Sequence, residues 1–144
     1  MPSATETGRA VVQTDGAALG NPGPAGAGAV VLSAEGAVLA ELSVPLGRAT
    51  NNVAEYEAVI CGLQEALALG FREVELRSDS ELLCRQIAGT YRVRTPHLAP
   101  LLAHVKRLLA RFERSRVMHV RREANAAADR LATLAARRSQ QESA

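Results

Sequence analysis

Aspartate and asparagine are rare in this sequence, and both occur in a few short segments. The 144-residue chain has only three aspartates, Asp15, Asp79 and Asp129. Its four asparagines, at positions 21, 51, 52 and 125, flank these aspartates or the acid Glu55. The rest of the charged surface is built from glutamate and arginine. The pattern indicates that the Asp and Asn side chains belong to one site.

The elements predicted around four acids place their side chains near one another. Asp15 follows an apolar run over residues 10–14, which predicts a strand that ends at this acid, and Asp79 follows another predicted strand. Glu55 falls in the first turn of a predicted helix, and Asp129 in the first turn of the last one. Because neighbouring strands of an α/β sheet end at a shared edge, where sites tend to form, we expect the four carboxylates to meet there.

Four converging carboxylates imply either raised pKa values or bound cations. Two unit charges about 4 Å apart repel by about 4 kcal/mol at an effective dielectric constant near 20. An oxygen-only ligand set without a histidine or cysteine pattern favours Mg²⁺ or Mn²⁺ over zinc. Four acids suit two such ions, which in phosphodiester cleavage activate a water molecule and stabilise the leaving oxygen.

Three of the four acids, taken singly, also have a structural explanation. Asp79 and Asp129 lie where the N-cap of a helix is expected, and aspartate is a preferred N-cap residue. Glu55 at the start of a helix complements the helix dipole. Only the combination of the four acids favours a site.

Alternating and helical hydrophobic periods predict a single α/β domain over residues 9–137. Strands are predicted at 10–14, 27–33, 38–44, 73–77 and 116–120, and helices at 54–69, 79–88, 99–112 and 126–136. This order predicts a five-stranded mixed sheet, with three antiparallel strands first and helix-connected strands later, flanked by helices. Residues 1–8 and 138–144 are polar and are expected to be flexible.

Composition and charge narrow the class of protein. A hydrophobic content of 47% with 22% charged residues is ordinary for a soluble globular domain. The chain shows neither a signal-peptide core nor an apolar run of about 18 residues, so we expect a cytoplasmic protein with no membrane contact. Cys61 and Cys84 are expected to be reduced thiols. The segment from Arg85 to Arg122 contains ten basic residues and only one acid. This excess of positive charge is typical of an anion-binding face or of a solvated helix surface.

Four sequence blocks resemble the type 1 ribonuclease H family. They occur in the family's order, over about residues 11–136: TDGAALGNPGPAGAG from Thr14, TNNVAEYEA from Thr50, SDSELL from Ser78 and REANAAADRLA from Arg122. The resemblance implies a ribonuclease H-like fold and an endonuclease that hydrolyses the RNA strand of RNA/DNA hybrids. It also implies two divalent metal ions, products with 5′-phosphate and 3′-hydroxyl ends, and a monomer with no obligate protein partner.

The same resemblance assigns roles to individual residues. It makes Asp15, Glu55, Asp79 and Asp129 the catalytic metal ligands, with the backbone carbonyl of Gly16 as a further ligand. Arg48 and Thr50 would bind a phosphate of the DNA strand, and Asn21, Asn51 and Asn52 would face the minor groove, where 2′-hydroxyls distinguish RNA. Gly16 would lie against the RNA backbone, and Asn125 also belongs to the implied substrate contacts.

The sequence departs from the family pattern in two regions. The loop before the last helix is short and lacks the histidine that many relatives carry. His119 is expected on the preceding strand and receives no role; Glu123 is the candidate for proton transfer, with helix capping as its alternative. The basic helix used by some relatives as a substrate handle is absent, and Tyr91, Arg92 and Arg94 are candidates for a minimal version.

Two other functions stay open at this point. The chain could be a module that binds hybrids without cleaving them, although the complete set of acids argues against this. It could also be a nuclease of the same fold that cuts DNA, such as a resolvase or an integrase core. Asn21 and the Thr50-Asn51-Asn52 segment favour hybrid recognition.

Overall fold

The computed structural model describes residues 8–90, 92–93 and 95–142. Within these residues the strands are β1 (Arg9–Ala18), β2 (Gly23–Leu32), β3 (Val38–Ala49), β4 (Glu73–Ser78) and β5 (Arg114–His119). The α-helices are α1 (Asn51–Ala68), α2 (Glu81–Ala88), α3 (Ala99–Ala110) and α4 (Ala126–Glu142). A short 3₁₀ helix, Arg122–Asn125, leads directly into α4.

The five strands form one mixed sheet in the order β3-β2-β1-β4-β5. Strand β2 runs antiparallel to both β1 and β3, whereas β4 pairs in parallel with β1 and with β5. Helices cover both faces of the sheet. The predicted α/β fold, with three antiparallel strands followed by helix-connected strands, is therefore confirmed.

The two faces of the sheet are packed by different kinds of side chain. On one face, large apolar residues of the strands and of α1 and α3 form the core, including Val12, Leu63, Leu76 and Val105. On the other face, α4 lies against β2 through alanines at positions 128, 132 and 135. A Cβ atom added to Gly26 or Gly28 would collide with α4, so these glycines allow the helix to approach the sheet closely.

Strand β1 does not end at Asp15, as the sequence predicted, but continues to Ala18. Its parallel pairing with β4 stops at Thr14, which lies opposite Ser78, while its antiparallel pairing with β2 goes on to Ala18. The expectation failed because glycine and alanine have low β-propensity, whereas the pairing with β2 depends on residues distant in sequence. Asp15 thus lies inside β1, one residue beyond the end of the parallel pairing.

Two helix starts also differ from the prediction. Helix α1 begins at Asn51, where the Thr50 side chain accepts a hydrogen bond from Val53 N at 3.2 Å, so Glu55 lies beyond the first turn. Ser80 caps α2 in the same way through Leu83 N, at 3.2 Å. Asp79 is therefore not an N-cap, and the dipole explanation for Glu55 fails.

The C-terminal helix is longer than predicted. Helix α4 extends to Glu142, and Ser139 on it is only 2% exposed. The tail expected over residues 138–144 is therefore helical as far as Glu142, although its composition is polar. Asp129 lies within the first turn of α4, as predicted, and Ala126 starts that helix, so Asp129 is not its N-cap. Apart from Gly8, the expected flexible segment 1–8 lies outside the described residues.

None of the helices in the described part of the chain has the length and apolar character needed to cross a membrane.

Candidate active site

Three of the four predicted acids come together at the edge of the sheet. Asp15 on β1, Asp79 directly after β4 and Glu55 on α1 each offer a carboxylate oxygen, and these oxygens lie within 4.8 Å of one another. Helix α1 reaches β1 because Gly16 has no side chain. A Cβ atom there would collide with the backbone of Ala54 and Glu55. The buried Gly16 is thus explained by helix packing, whereas the sequence assigned it only to substrate and metal contacts.

Asp129 lies at the same cleft but outside this compact group. It projects from α4 and lines a cleft of about 870 Å³ together with Asp15, Glu55 and Asp79. Its position across the cleft follows from the close packing of α4 on the sheet, because Gly28 contacts the backbone of Ala128 next to it. The structure therefore brings the four predicted acids to one cleft, with Asp15, Glu55 and Asp79 mutually within 4.8 Å and Asp129 interacting with Asp15.

Burial raises the pKa values of two acids in the cluster. The Asp15 side chain is 6% exposed; burial, followed by the charge of Asp79, raises its pKa to about 7. Glu55 is also 6% exposed, and burial, followed by the charge of Asp15, raises its pKa to about 9. In the absence of a cation, Glu55 is therefore protonated at neutral pH, and Asp15 is near its midpoint.

The donor atoms of the cluster fit a hard divalent cation. Asp15 Oδ1 accepts a hydrogen bond from Gly16 N at 3.0 Å. Glu55 Oε2 is buried and has no hydrogen-bond partner among the described residues. A buried oxygen without a partner is unfavourable, and coordination of a cation would satisfy it. Asp15, Glu55 and Asp79, joined by Asp129, are thus the residues able to bind a divalent cation.

A zinc site is not favoured by the neighbouring cysteine. Cys84 is a free, buried thiol, and burial, followed by the charge of Glu55, raises its pKa to about 11. It therefore remains protonated and is a poor ligand at neutral pH. Cys61 is also a free thiol, and burial raises its pKa as well. Reduced thiols were expected from the sequence.

The chain matches proteins of known family over most of its length. The Reverse transcriptase-like family matches residues 13–135. A Ribonuclease HI of Halobacterium salinarum is 42% identical over 125 residues, which cover 87% of this chain and 63% of that protein. The Bifunctional protein Rv2228c of Mycobacterium tuberculosis is 45% identical over 125 residues, 86% of this chain and 34% of that protein. This chain belongs to the ribonuclease H family.

Solved structures of ribonuclease H domains superpose closely on it. The N-terminal RNase H domain of Rv2228c has a TM-score of 0.92 at 42% identity, covering 96% of this chain and 100% of that chain. LC11-RNase H1, solved in complex with an RNA/DNA hybrid, has a TM-score of 0.85 at 40% identity and covers 91% and 99%. This chain spans only 34% of the length of the full Rv2228c protein.

Among the predicted substrate residues of this ribonuclease H-family chain, Asn21 lies on the β1–β2 turn, Arg48 lies near the end of β3, and Thr50, Asn51 and Asn52 lie at the start of α1. Asn21 Oδ1 accepts a hydrogen bond from Asn51 N at 3.0 Å, which joins the turn to the helix. Asn51 lines the cleft, and Arg48 and Asn52 are exposed. Thr50 is partly buried, and its hydroxyl caps α1.

Asn125 differs from this exposed group, because it is fully buried. Its Nδ2 donates a hydrogen bond to Thr14 O at 2.8 Å, and its Oδ1 has no partner among the described residues. In this structure Asn125 fastens the start of α4 to β1 beside Asp15. The structure thus gives Asn125 a structural role, and the substrate contact expected of it stays a prediction.

Basic residues at the cleft were not assigned individual roles by sequence reasoning. His119, at the end of β5 as expected, lines the cleft, and its Nε2 lies 3.2 Å from Asp79 O. Arg121 and Arg122 line the cleft as well, together with the predicted Glu123. The signal was the pair Arg121-Arg122 at the start of the last sequence block.

Other parts of the basic segment lie away from the cleft. Arg85 pairs with Glu81 at 2.9 Å, and Arg116 lies 3.9 Å from Glu75. Arg92 lines a separate groove of about 310 Å³ with Lys106. Tyr91 and Arg94 lie outside the described residues. Among the described basic residues of this segment, Arg121 and Arg122 at its end are the ones that line the cleft with the acids.

Proposed function

We propose that this domain hydrolyses the RNA strand of RNA/DNA hybrids and leaves 5′-phosphate and 3′-hydroxyl ends. The observation that carries the proposal is the cluster of Asp15, Glu55 and Asp79, whose ligand oxygens lie within 4.8 Å of one another in an open cleft. Relatives named Ribonuclease HI and a structural neighbour solved with an RNA/DNA hybrid support it.

In this proposal two Mg²⁺ or Mn²⁺ ions bind to Asp15, Glu55, Asp79 and Asp129, with the Gly16 carbonyl as a further ligand. When bound, such ions lower the pKa of an attacking water and stabilise charge on the departing 3′-oxygen. Asp15 and Glu55 release their protons on binding, because their raised pKa values reflect burial and mutual repulsion. The Gly16 N–H keeps Asp15 oriented. Glu123, exposed at the cleft, is our candidate for proton transfer.

Recognition of the substrate is assigned to exposed polar side chains around the acids. Asn21, Asn51 and Asn52 offer amide groups to minor-groove edges and 2′-hydroxyls, which distinguish RNA from DNA. Arg48 offers its guanidinium to a phosphate of the DNA strand, next to the Thr50 hydroxyl. Arg92, with Tyr91 and Arg94, would extend the contact with the hybrid.

The deciding experiment is cleavage of an RNA/DNA hybrid with each strand labelled separately. Duplex DNA and single-stranded RNA serve as comparison substrates, with Mg²⁺, Mn²⁺ or EDTA present. We expect cleavage of only the RNA strand in the hybrid and none in EDTA. Hybrid binding without cleavage would indicate a binding module, and cleavage of duplex DNA would indicate a DNA nuclease of the same fold.

We also propose that the domain acts as a monomer in the cytoplasm. Light scattering of the purified protein tests the first part, since a dimer would double the measured mass. Fractionation of cells that express it tests the second.

A further inference from the structure

Ser139, near the C-terminal end of α4, connects three strand positions through its hydroxyl. Its Oγ donates a hydrogen bond to Ala25 O on β2 at 2.7 Å. The same oxygen accepts hydrogen bonds from Leu46 N at 3.1 Å and Gly47 N at 3.0 Å, both on β3. Ser139 is only 2% exposed, so these bonds are protected from water.

The two N–H groups that donate hydrogen bonds to Ser139 lie at an irregularity in the sheet. Ala25 lies opposite Gly47, but the neighbouring Gly26 lies opposite Pro45, so Leu46 is an extra residue on β3. A bulge of this kind interrupts the ladder and leaves N–H groups without their usual partners. Ser139 supplies the missing acceptor.

The bulge directly precedes residues that the proposed function assigns to the substrate. Directly after it, Gly47 has a positive φ of +70°. Arg48 follows, and then Thr50 and Asn51, the N-cap and the first residue of α1. Pro24, Gly47, Arg48 and Ser139 line a depression of about 130 Å³ at this point. Bulges near active sites commonly redirect a side chain.

Arg48 is the side chain that directly follows the β3 bulge. It is exposed and forms no ion pair with any residue in the described ranges. An exposed, unpaired guanidinium suits a phosphate group. Its direction depends on the backbone at Gly47, and therefore on the hydroxyl of Ser139.

We infer that Ser139 is a positioning residue for substrate binding, and that it acts by fixing the β3 bulge so that Arg48 faces a phosphate of the bound nucleic acid. This inference rests on the proposed function. Ser139 should affect binding of the substrate and not the chemical step, because its hydrogen bonds go to the backbone of β2 and β3 and not to the acids.

The test is steady-state cleavage of the hybrid by the Ser139→Ala variant. We expect KM to rise roughly tenfold and kcat to remain unchanged, because two buried N–H groups lose their acceptor and the Arg48 segment shifts. Ser33→Ala is the matched control, since it also loses one hydroxyl that accepts a backbone N–H, from Ala37 at 3.0 Å. Its KM should equal that of the unaltered protein. Ser139→Thr keeps the hydroxyl and should retain most of the affinity.

A double-mutant cycle shows whether Ser139 acts through Arg48. If it does, Ser139→Ala combined with Arg48→Ala has the same KM as Arg48→Ala alone. Independent effects of the two substitutions, or a lower kcat at unchanged KM, would overturn the inference. If Ser139→Ala does not fold, Ser139→Cys, which has a poorer acceptor of similar shape, should change KM in the same direction.

Failure of the inference can be distinguished from failure of the proposed function. Fluorescence anisotropy with a labelled hybrid in EDTA measures binding without cleavage. If the unaltered protein binds but does not cleave, the proposed hydrolysis fails, and the affinity of Ser139→Ala still tests the inference. Equal affinities of the two proteins would refute it, and no binding in EDTA together with no cleavage in Mg²⁺ or Mn²⁺ would refute both.

Discussion

Replacing Asp15 by asparagine should stabilise the metal-free protein and destabilise the metal-bound protein. Asparagine keeps a carbonyl oxygen that can accept the hydrogen bond from Gly16 N, at 3.0 Å in the unaltered protein. The negative charge beside Asp79 and Glu55 is lost. The sign of the change in stability therefore depends on whether a cation balances the cluster.

The magnitude without metal follows from two estimates. Unit charges at 4.8 Å, the limit of the cluster, repel by about 3.5 kcal/mol at an effective dielectric constant near 20. The rise in the pKa of Asp15 from 3.8 to about 7 corresponds to about 4 kcal/mol at 1.36 kcal/mol per pKa unit. Burying the asparagine amide also costs free energy, so we expect Asp15→Asn to increase the free energy of unfolding by about half of these values. A gain of about 2 kcal/mol raises Tm by roughly 6 °C.

The pH dependence has a definite sign. A carboxyl whose pKa is raised in the folded state keeps its proton where the unfolded chain has lost it, so the folded state loses stability as pH rises. For Asp15 this loss develops between about pH 4 and pH 7, and for Glu55 it continues to about pH 9. The stability advantage of Asp15→Asn in EDTA should therefore be full at pH 8 and should close near pH 4.

The assay is thermal unfolding followed by circular dichroism, in EDTA and in saturating Mg²⁺. In Mg²⁺ the order of Tm values should reverse, because a cation that binds only the folded state stabilises the unaltered protein. Glu35→Gln is the control, since it removes an acid from the exposed turn between β2 and β3 and should behave like the unaltered protein. A lower Tm for Asp15→Asn in EDTA at pH 8, or an equal response of both proteins to Mg²⁺, would refute the reasoning.

Three further predictions concern the same site. Glu55→Gln should abolish cleavage of the hybrid while the far-UV circular dichroism spectrum is unchanged; measurable turnover would contradict the assignment. The apparent affinity for Mg²⁺ should rise with pH through the pKa values of about 7 and about 9, because binding displaces protons, and calorimetry in buffers of different ionisation enthalpy counts them. Asn125→Ala should lower the free energy of unfolding in urea by about 1–3 kcal/mol, since Thr14 O loses its buried donor, and an unchanged value would show that this bond is dispensable.

The sequence predicts the fold and the acids because both depend on local patterns. The apolar periods define the strands and helices, and Asp15, Glu55, Asp79 and Asp129 stand in short blocks that determine their surroundings. The strand and helix ends that were predicted wrongly depend on contacts between residues distant in sequence. Strand β1 is extended past Asp15 by pairing with β2, and the polar end of α4 is anchored by Ser139, whose partners are up to 114 residues away.

The role of Asn125 shows a different limit of sequence reasoning. Its position four residues before Asp129 is evident, but the sequence does not say whether its side chain faces the cleft or the sheet. The 3₁₀ helix before α4 turns it towards Thr14 O, where it is fully buried. Only the three-dimensional packing of α4 on β1 distinguishes these two directions.

The seam of glycines and alanines between the sheet and α4 has a consequence for the precision of the site. Along this seam Gly26 and Gly28 lie directly against the helix, so the backbone sets how far Asp129 stands from Asp15. Rotamer changes and repacking of flexible side chains leave such a spacing unaltered, whereas a single added methyl group at either glycine would push the helix away. The distance across the proposed active-site cleft is therefore set by two glycines that themselves bind neither metal nor substrate.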